Sequence, residues 1–303
     1  YMYYKLALHT MESFIKYSEK IGNNFLLCQG PGGNTSVKIN ENILIKKSGH
    51  LLSKSAKKET FKKINLTDIN NFYTNNFNDR KFDKELSIET PLHVLLSSKY
   101  VFHYHSIASI LISTIFKKDT LNRFLIDNNI LPIDYIRPGH ELAKEIVSSN
   151  HKYKFESFFL YNHGVVVEGQ NIKKLYKTIN LIENLFSELF DYSKLKKITR
   201  NVLNTKFSDC KFDNPNSKLD YKKFKDQYFF PDHSVFFPDS FTFDKKYIYV
   251  KKDLNITEIQ YFQTLLILYN LIDEKKVLNF INKDTGEKLR KSEDEQLRLR
   301  INK

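Results

Sequence analysis

The sequence predicts an α/β fold, and three observations support this class. Apolar residues at helical spacing alternate with short strand-like runs along the first 200 residues. Hydrophobic residues form 41% of the chain and charged residues 27%, proportions that are typical of a folded globular protein. The composition changes after about Arg200, where Lys and Asp dominate up to Gln227. We therefore expect an α/β core over residues 1–200 and a C-terminal extension over residues 201–303 that packs on the same domain.

The predicted elements of the core follow from apolar spacing and from the residues that end each run. Leu6, Met11 and Phe14 belong to a run with spacings of three and four, which predicts a helix that Gly22 ends. Pro91 suits the first turn of a later helix. In order, the predictions are a helix over 4–21, strands over 35–39 and 42–45, a short helix and loop within 53–84, a helix over 91–98, a strand over 100–104, a helix over 107–116, a turn around Pro132, a helix from about 139, strands over 157–161 and 165–167, and an amphipathic helix over 171–195.

The C-terminal extension has a different residue composition and apolar pattern. Aromatic residues predict strand-like pieces over 228–237 and 247–250, and apolar residues predict a last helix over 257–272. The residues after this helix are mostly charged, and we expect them to form a charged tail.

The net charge raises a question about partners. The chain has 48 Lys and Arg against 35 Asp and Glu, a formal charge of +13, which is a balance often found in proteins that bind nucleic acid or an anionic membrane. The lysines are accompanied by abundant Asn, Ile, Phe and Tyr, as in proteins of AT-rich genomes, and no nucleic-acid recognition motif accompanies them. We expect neither nucleic acid nor a membrane as a partner.

The cysteine count and the hydropathy pattern exclude other classes. Cys28 and Cys210 are too few for a disulfide framework or a thiolate zinc site, so a reducing compartment is expected. No apolar stretch approaches the roughly 18 residues of a membrane span, and the first residues lack the pattern of a secretory signal. These observations predict a cytoplasmic protein.

Three histidines predict a metal site. His103 and His105 lie two apart in a predicted strand, so that both imidazoles project from one face and could bind one ion, although unrelated histidines are an equal alternative. His163 follows at a turn between two further predicted strands. Three neutral histidines with an open position form the usual ligand set of a catalytic zinc ion.

Glu89 is the candidate acid/base. It comes at the start of the helix before the His-x-His strand, where a carboxylate would act as a base beside a metal or simply stabilise the helix N-terminus. His93 is one turn further on, but a histidine among leucines is predicted to be a core residue.

Two loops are candidate anion contacts. Residues 30–36 combine glycines with small hydroxyl residues, which suits an anion-binding nest, although an ordinary turn is the alternative. This loop lacks both the Walker lysine and the helix of a dinucleotide fingerprint. Residues 46–49 form a second candidate contact.

Taken in order, these motifs resemble the class II aldolase/adducin family. They are Gly-Gly-Asn-Thr-Ser at 32–36, Ser-Gly at 48–49, Glu89, His-x-His at 103–105, Pro-Gly-x-Glu-Leu-Ala at 138–143 and Asn-His-Gly at 162–164. The loop at 30–38 and the run at 87–93 are most similar to the rhamnulose-1-phosphate and fuculose-1-phosphate aldolase-like branch. The resemblance covers roughly residues 6–195.

The resemblance implies a fold and an assembly. The fold is a three-layer αβα sandwich around a central, mainly antiparallel sheet, and the assembly is a homo-oligomer, with a cyclic tetramer favoured.

It also implies a set of site residues. His103, His105 and His163 would hold one Zn²⁺ per subunit, or another divalent ion, with Glu89 beside it as ligand and acid/base. Tyr135 would be the catalytic proton donor, supplied by a neighbouring subunit. The implied contacts of the substrate phosphate are Asn34, Thr35, Ser48, Gly49 and Ser87. Ile88 departs from the pair of adjacent serines found in fuculose-phosphate aldolases.

The implied activity is zinc-dependent cleavage of a phosphorylated ketose, or a related sugar acid, through an enediolate. The products would be dihydroxyacetone phosphate, or pyruvate, and an aldehyde. An epimerase, a dehydratase or a decarboxylase on the same scaffold is an alternative, as is a metal-free adducin-like interaction module, which the intact ligand set does not favour.

Overall fold

A central β-sheet organises the first part of the chain. The computed structural model describes residues 2–75, 82–150, 154–204, 211–213, 227–236, 241–250, 254–272 and 279–302. Within these ranges the central strands are β1 (Asn34–Ile39), β2 (Asn42–Lys46), β3 (Phe61–Asn65), β4 (Tyr100–Tyr104), β5 (Leu131–Ile133), β6 (Ser157–Leu160) and β7 (Gly164–Gly169). Their order in the sheet is β3-β2-β1-β4-β7-β6-β5, and only the β5–β6 pair is parallel.

Helices cover both faces of this sheet. They are α1 (Met2–Gly22), α2 (Leu66–Asn75), α3 (Thr90–Leu95), α4 (Ile107–Ile115), α5 (Lys118–Asp127), α6 (His140–Asn150) and α7 (Ile172–Ser187). Helices α1, α4, α5 and α7 pack on the face that carries Phe102 and Tyr104, whereas α2, α3 and α6 pack on the face that carries Val101. The predicted α/β class and the three-layer αβα arrangement with a mainly antiparallel sheet are therefore confirmed.

The register of β4 decides what the site contains. Successive side chains of a strand point to opposite faces, so His103 shares the face of Val101. Asn34 of β1 pairs with His103, and Thr35 pairs with Phe102 on the other face. Val166 of β7 pairs with His103 from the other side. The site is thus built at the end of β4, in the layer of α2, α3 and α6.

The C-terminal residues form further elements, and the longest of their described helices packs on α4. In the described ranges these are α8 (Tyr192–Leu203), β8 (Lys211–Asp213), β9 (Gln227–Tyr228), α9 (Pro231–Phe236), β10 (Phe241–Phe243), β11 (Tyr247–Val250), α10 (Ile256–Leu271), β12 (Ile281–Asn282), α11 (Lys283–Arg290) and α12 (Glu293–Ile301). Tyr261 and Leu265 of α10 belong to one buried cluster with Ile107 and Leu111 of α4. Helix α4 consequently has apolar neighbours on two sides.

Several element predictions were wrong. The turn around Pro132 is the edge strand β5, where a proline is tolerated because the ladder does not need its missing N–H. The segment 53–84 contains the strand β3 as well as α2. The predicted helix over 171–195 is two helices, because α7 ends at Ser187 and Asp191 caps the start of α8.

The extension also differs from its prediction. The aromatic run over 228–236 is mostly the short helix α9, and the last predicted residue, Phe237, lies outside the described residues. The charged tail folds into α11 and α12. Three acidic residues in the first turn of α12 and two arginines in its last turn complement the helix dipole.

Cys28 is buried, whereas Cys210 lies outside the described residues. None of the helices in the described ranges combines the length and the apolar content that crossing a bilayer requires.

Candidate metal and substrate site

Three imidazoles and one carboxylate converge at the end of β4. His103 Nε2 lies 3.0 Å from His105 Nε2 and 3.3 Å from His163 Nε2. Glu89 Oε1 lies 3.2 Å from Nε2 of both His103 and His163. One ligand atom from each of the four buried residues falls within 4.8 Å of the others, so that a single metal ion could contact all four.

Local structure explains how each side chain reaches this point. His103 is in β4 and His105 follows the strand end, while His163 occupies the turn between β6 and β7. Gly164 lets this turn approach β4, because a Cβ at this position would lie 2.3 Å from the carbonyl oxygen of Tyr104. Glu89 immediately precedes α3, but its side chain makes no capping hydrogen bond. The carboxylate faces the histidines instead, which favours the site over the simple capping alternative.

The surroundings of the outer ring nitrogens indicate the tautomers of His103 and His105, whereas His163 Nδ1 is buried without a hydrogen-bond partner among the described residues. His103 Nδ1 donates to the carbonyl oxygen of Val165 at 3.1 Å, and His105 Nδ1 lies 3.2 Å from Asp232 Oδ2. With the proton on Nδ1, a neutral imidazole directs an Nε2 lone pair into the cluster. This assignment of the proton follows from the partners of each nitrogen.

This arrangement fits a divalent cation. Glu89 Oε1 is buried and accepts no hydrogen bond from the described residues. The Nε2 atoms of the histidines and Glu89 Oε1 are all acceptors and face one another. Burial of an acceptor without a donor costs free energy, and a bound cation would remove this cost. Three imidazole nitrogens and one carboxylate oxygen form a donor set suited to Zn²⁺ and to related divalent ions.

The protonation equilibria of two of the three histidines agree with neutral imidazole ligands. Burial lowers the pKa of His163 to about 4 and also lowers the pKa of His105. Burial would lower the pKa of His103 too, but the adjacent Glu89 carboxylate outweighs it and raises the pKa. Conversely, burial opposes ionisation of Glu89, and the imidazoles of His103 and His163 still hold the pKa of this carboxyl well below its usual value.

A small cavity opens beside the cluster. Its volume is about 20 Å³, which is room for one or two water molecules. Glu89, His105 and His163 line it, and so do four of the predicted anion contacts, namely Asn34, Ser48, Gly49 and Ser87.

Three predicted site residues are not in the wall of this cavity, namely His103, which belongs to the buried cluster, and Thr35 and Tyr135. The Thr35 hydroxyl is 2.8 Å from Ser18 Oγ of α1, in the opposite helical layer, as the alternation along β1 requires. The Tyr135 ring packs against the apolar cluster that includes α1, α4 and α7, and its hydroxyl is buried without a hydrogen-bond partner among the described residues. Burial raises the pKa of Tyr135 above its usual value. The role of Tyr135 as a proton donor to the site of a neighbouring subunit stays a prediction.

The Asn34 side chain is bonded to the candidate acid/base. Asn34 Nδ2 donates to Glu89 Oε2 at 2.6 Å, and its Oδ1 contacts His93 Nε2. His93 Nδ1 is in turn 2.8 Å from Ser36 Oγ. His93 is buried, as predicted, but it also belongs to the hydrogen-bond chain that holds Glu89.

The C-terminal helices also contribute to the site, which the sequence did not predict. Asp232 of α9 and three residues of α12, Asp294, Glu295 and Arg298, line the same cavity. These residues are far from the histidines along the chain, so no local sequence pattern marks them as site residues. Only the packing of α9, α10 and α12 brings them to the cavity.

Lys46 is a buried cation in the wall of the cavity. Its Nζ donates to the carbonyl oxygens of Pro31 at 3.1 Å and His50 at 2.7 Å. Burial lowers the pKa of this ammonium group to about 8. Residues 46–49, predicted as an anion contact, thus supply a cation, a hydroxyl and a glycine to one wall.

Comparison with known families identifies one that matches more than half of the chain. The family described as Class II Aldolase and Adducin N-terminal domain matches residues 13–189. A Bacillus subtilis (strain 168) protein, described as uncharacterized oxidoreductase YuxG, is 28% identical over 201 residues, which are 57% of this chain and 28% of that protein. The chain thus spans less than a third of the length of this curated relative.

Solved structures are also similar to this chain over a comparable region. The N-terminal class II aldolase domain of a conserved protein from Thermoplasma acidophilum is 26% identical, with a TM-score of 0.51 over 59% of this chain and 92% of that one. The L-fuculose-1-phosphate aldolase from Thermus thermophilus is 15% identical, with a TM-score of 0.43 over 61% of this chain and 97% of that one.

Proposed function

This chain belongs to the class II aldolase and adducin family, and from that membership we propose that it is a metal-dependent aldolase. Its substrate would be a phosphorylated ketose or a related sugar acid. The products would be dihydroxyacetone phosphate, or pyruvate, and an aldehyde. The observation that carries this proposal is the buried cluster of Glu89, His103, His105 and His163, whose ligand atoms lie within 4.8 Å of one another.

The four residues of the cluster would hold the ion, Zn²⁺ in our proposal, through Nε2 of the histidines and Oε1 of Glu89. A divalent ion in such a site supplies Lewis-acid stabilisation of negative charge on the substrate oxygens. The histidines are positioned by strand β4 and by the turn before β7.

Glu89 would act as the acid/base of the reaction. It would transfer the proton at the substrate carbon that becomes part of the enediolate when the carbon–carbon bond is cleaved. Its Oε2 has a hydrogen-bond donor in Asn34, which keeps the carboxylate in one orientation. Such a group is effective when it is held within hydrogen-bond reach of the reacting atom. Tyr135 of a neighbouring subunit remains our candidate for the residue that donates a proton to the oxygen of the leaving aldehyde.

Ser48, Gly49 and Ser87 would bind the substrate anion. They line the cavity together with the Lys46 ammonium group. Asn34 also lines it, but its amide group donates to Glu89, and the Thr35 hydroxyl is bonded to Ser18. The side chains of Asn34 and Thr35 are therefore weaker candidates than the two serines.

Substrate entry would require a movement of α12. A cavity of about 20 Å³ is too small for a sugar phosphate, and Arg298 and Glu295 of α12 form part of its wall. The end of the same helix covers the predicted phosphate contact, since a Cβ on Gly49 would lie 2.9 Å from Ile301 Cγ2.

Other reactions use the same scaffold. An epimerase, a dehydratase or a decarboxylase is the alternative if no carbon–carbon bond is cleaved. The oxidoreductase description of the Bacillus subtilis relative carries no weight for this chain, because the match covers 28% of that protein. A homotetramer and a cytoplasmic location remain predictions.

Incubation with a panel of phosphorylated ketoses and sugar acids tests the proposal. The purified zinc-loaded protein should release dihydroxyacetone phosphate or pyruvate from at least one of them, and the His103→Ala variant should not. Metal analysis of protein prepared without a chelator should find close to one ion per chain. Absence of metal would contradict metal dependence, and metal without any released carbonyl fragment would favour the epimerase and dehydratase alternatives.

A further inference from the structure

A buried charged cluster from the C-terminal helices lies against the histidines. Asp232 of α9 is 1% exposed, and its Oδ2 lies 3.2 Å from His105 Nδ1. Tyr261 of α10 donates its hydroxyl proton to Oδ2 at 2.6 Å, and Arg298 Nη1 of α12 donates to Oδ1 at 2.5 Å. Both oxygens therefore have a donor, as a buried carboxylate requires to remain charged. All three residues lie outside the family-matched range 13–189.

The contact between Asp232 and His105 is on the outer side of the imidazole. His105 Nε2 faces the cluster, 3.0 Å from His103 Nε2, while Nδ1 faces Asp232. Metal-binding histidines generally donate their other ring N–H to a carboxylate or a carbonyl oxygen, which fixes the tautomer and the ring orientation. His103 has such a partner in the carbonyl oxygen of Val165, within the sheet. The corresponding group beside His105 is the Asp232 carboxylate, which the C-terminal segment supplies and which lies at an ion-pair distance of 3.2 Å from Nδ1 without forming an aligned hydrogen bond.

The glycine-rich loop closes over this contact. A Cβ on Gly32 would lie 2.7 Å from His105 Nδ1 and 3.0 Å from Asp232 Oδ2. Only glycine lets the loop pack directly on the pair. Because close packing excludes water, the electrostatic attraction between the imidazole N–H and the carboxylate is stronger than at an exposed site.

We propose that Asp232 is a positioning residue of the metal site, which holds the Nδ1 proton of His105 and so directs Nε2 at the ion. Arg298 and Tyr261 keep the Asp232 carboxylate in place from two other helices. The C-terminal segment thereby completes a site whose ligands all come from the family-matched domain. This inference rests on the proposed function, because that proposal assigns the ion to the Nε2 atoms.

The alternative is a purely structural role, in which Asp232 and Arg298 only fasten α12 to the domain. Other contacts of Arg298 agree with this alternative. Its guanidinium group also contacts Glu295 Oε2 at 3.3 Å and lies 5.1 Å from the centre of the Phe236 ring. A structural ion pair would affect the stability of the metal-free protein, but it would not affect the affinity or the ligand field of the bound ion. The two roles are therefore separable.

The test compares metal binding by Asp232→Asn and wild-type protein. Zinc affinity is measured by competition with a chromophoric chelator at neutral pH, and the visible spectrum of the Co²⁺-loaded protein reports the ligand field. We expect Asp232→Asn to bind zinc roughly 10- to 100-fold more weakly, as is usual for loss of an outer carboxylate, and to have an altered Co²⁺ spectrum. Glu168→Gln is the control, because this buried carboxylate accepts from the Ser98 backbone N–H outside the site.

A second measurement does not depend on the folding of a variant. In zinc-loaded wild-type protein with ¹⁵N-labelled histidine, the His105 ring should carry its proton on Nδ1. Wild-type zinc affinity in folded Asp232→Asn, or a proton on His105 Nε2 in the wild type, would overturn the inference and leave the proposed function intact. A wild-type protein that binds no divalent ion would overturn both.

Discussion

Asn34 Nδ2 donates a hydrogen bond of 2.6 Å to Glu89 Oε2, and this bond links the glycine-rich loop to the candidate acid/base. The sequence alone predicted Asn34 as a contact of the substrate anion. In the structure its amide group is engaged with Glu89 and His93, so its first effect is on the orientation of Glu89.

Replacement of Asn34 should therefore impair proton transfer more than anion binding. A hydrogen bond to a charged group contributes about 1.5–3 kcal/mol, so we expect Asn34→Ala to lower kcat by roughly 10- to 100-fold while KM changes little. Steady-state kinetics on the substrate found in the panel measure both constants. Asn184→Ala, at an exposed position of α7, is the control. A raised KM with an unchanged kcat would show that Asn34 serves the anion instead.

Removal of the metal should destabilise the protein. The ion would bind the folded state through residues that are far apart in the unfolded chain, so at a free concentration 100 times its Kd it would add about 2.7 kcal/mol to the free energy of unfolding. We expect a chelator to lower Tm and added Zn²⁺ to restore it, as measured by thermal unfolding. His163→Ala should abolish the response, whereas His9→Ala, at an exposed position of α1, should retain it. An equal Tm with and without chelator would contradict the site.

The turn that carries His163 should not tolerate a larger residue than glycine. A Cβ at position 164 would lie 2.3 Å from the Tyr104 carbonyl oxygen, a backbone atom that cannot move away without distorting β4. We expect Gly164→Ala to lower the free energy of unfolding by about 1–3 kcal/mol and to weaken zinc binding. Gly169→Ala, at the other end of β7, is the control, because its Cβ would be 3.8 Å from the nearest atom. Urea unfolding and zinc titration of both variants measure the difference.

Glu183 should make folding stability depend on pH. Burial raises the pKa of Glu183 to about 8 although the Ser106 hydroxyl donates to it at 2.8 Å. The folded state therefore binds more protons than the unfolded state, so this contribution is complete below the usual value of 4.5 and is lost as pH rises through 8.

Glu183→Gln removes this titration. The free energy of unfolding of the wild type relative to the variant should fall between pH 5 and 8, by at most about 1.4 kcal/mol per pH unit. Urea unfolding at several pH values measures it, with the exposed Glu188→Gln as a control. A difference that stays constant with pH would contradict the raised pKa.

Helix α12 should have to open for turnover. The Cβ of a residue at position 49 would lie 3.3 Å from Ile301 Cβ, slightly inside the usual separation of about 3.5–4.5 Å for a disulfide. We expect the double variant Gly49→Cys with Ile301→Cys to lose activity on oxidation and to regain it in reductant. The reduced form of the same protein is the control for the strain at position 49, where φ is +75°. Full activity of the oxidised protein would contradict an opening movement.

Local patterns predicted the parts of the site that lie within one or two neighbouring elements. His103 and His105 share a face because side chains alternate along a strand, and the apolar period of α1 and α4 follows from the same kind of local rule. The fold class followed from the mixture of these elements and from the ordered family motifs.

Tertiary packing decided what the sequence could not predict. Thr35 follows Asn34 in the chain, yet its side chain faces α1, because the register of β1 on β4 pairs it with Phe102. Asp232 reaches His105, and Arg298 reaches Asp232, only because α9 packs with both α10 and α12 while α10 packs on α4. Such pairs are distant along the chain, and neither residue is marked by its own sequence surroundings.

The order in which the ribosome makes these residues gives the proposed metal site two stages. Glu89 and the three histidines are synthesised well before Asp232, Tyr261 and Arg298, and the earlier part of a growing chain generally folds first. A nascent chain would thus contain the four proposed ligands before Asp232, which orients His105, has been synthesised. On the proposals above, a chain in which α12 has not yet docked would hold the ion more weakly than the mature protein does.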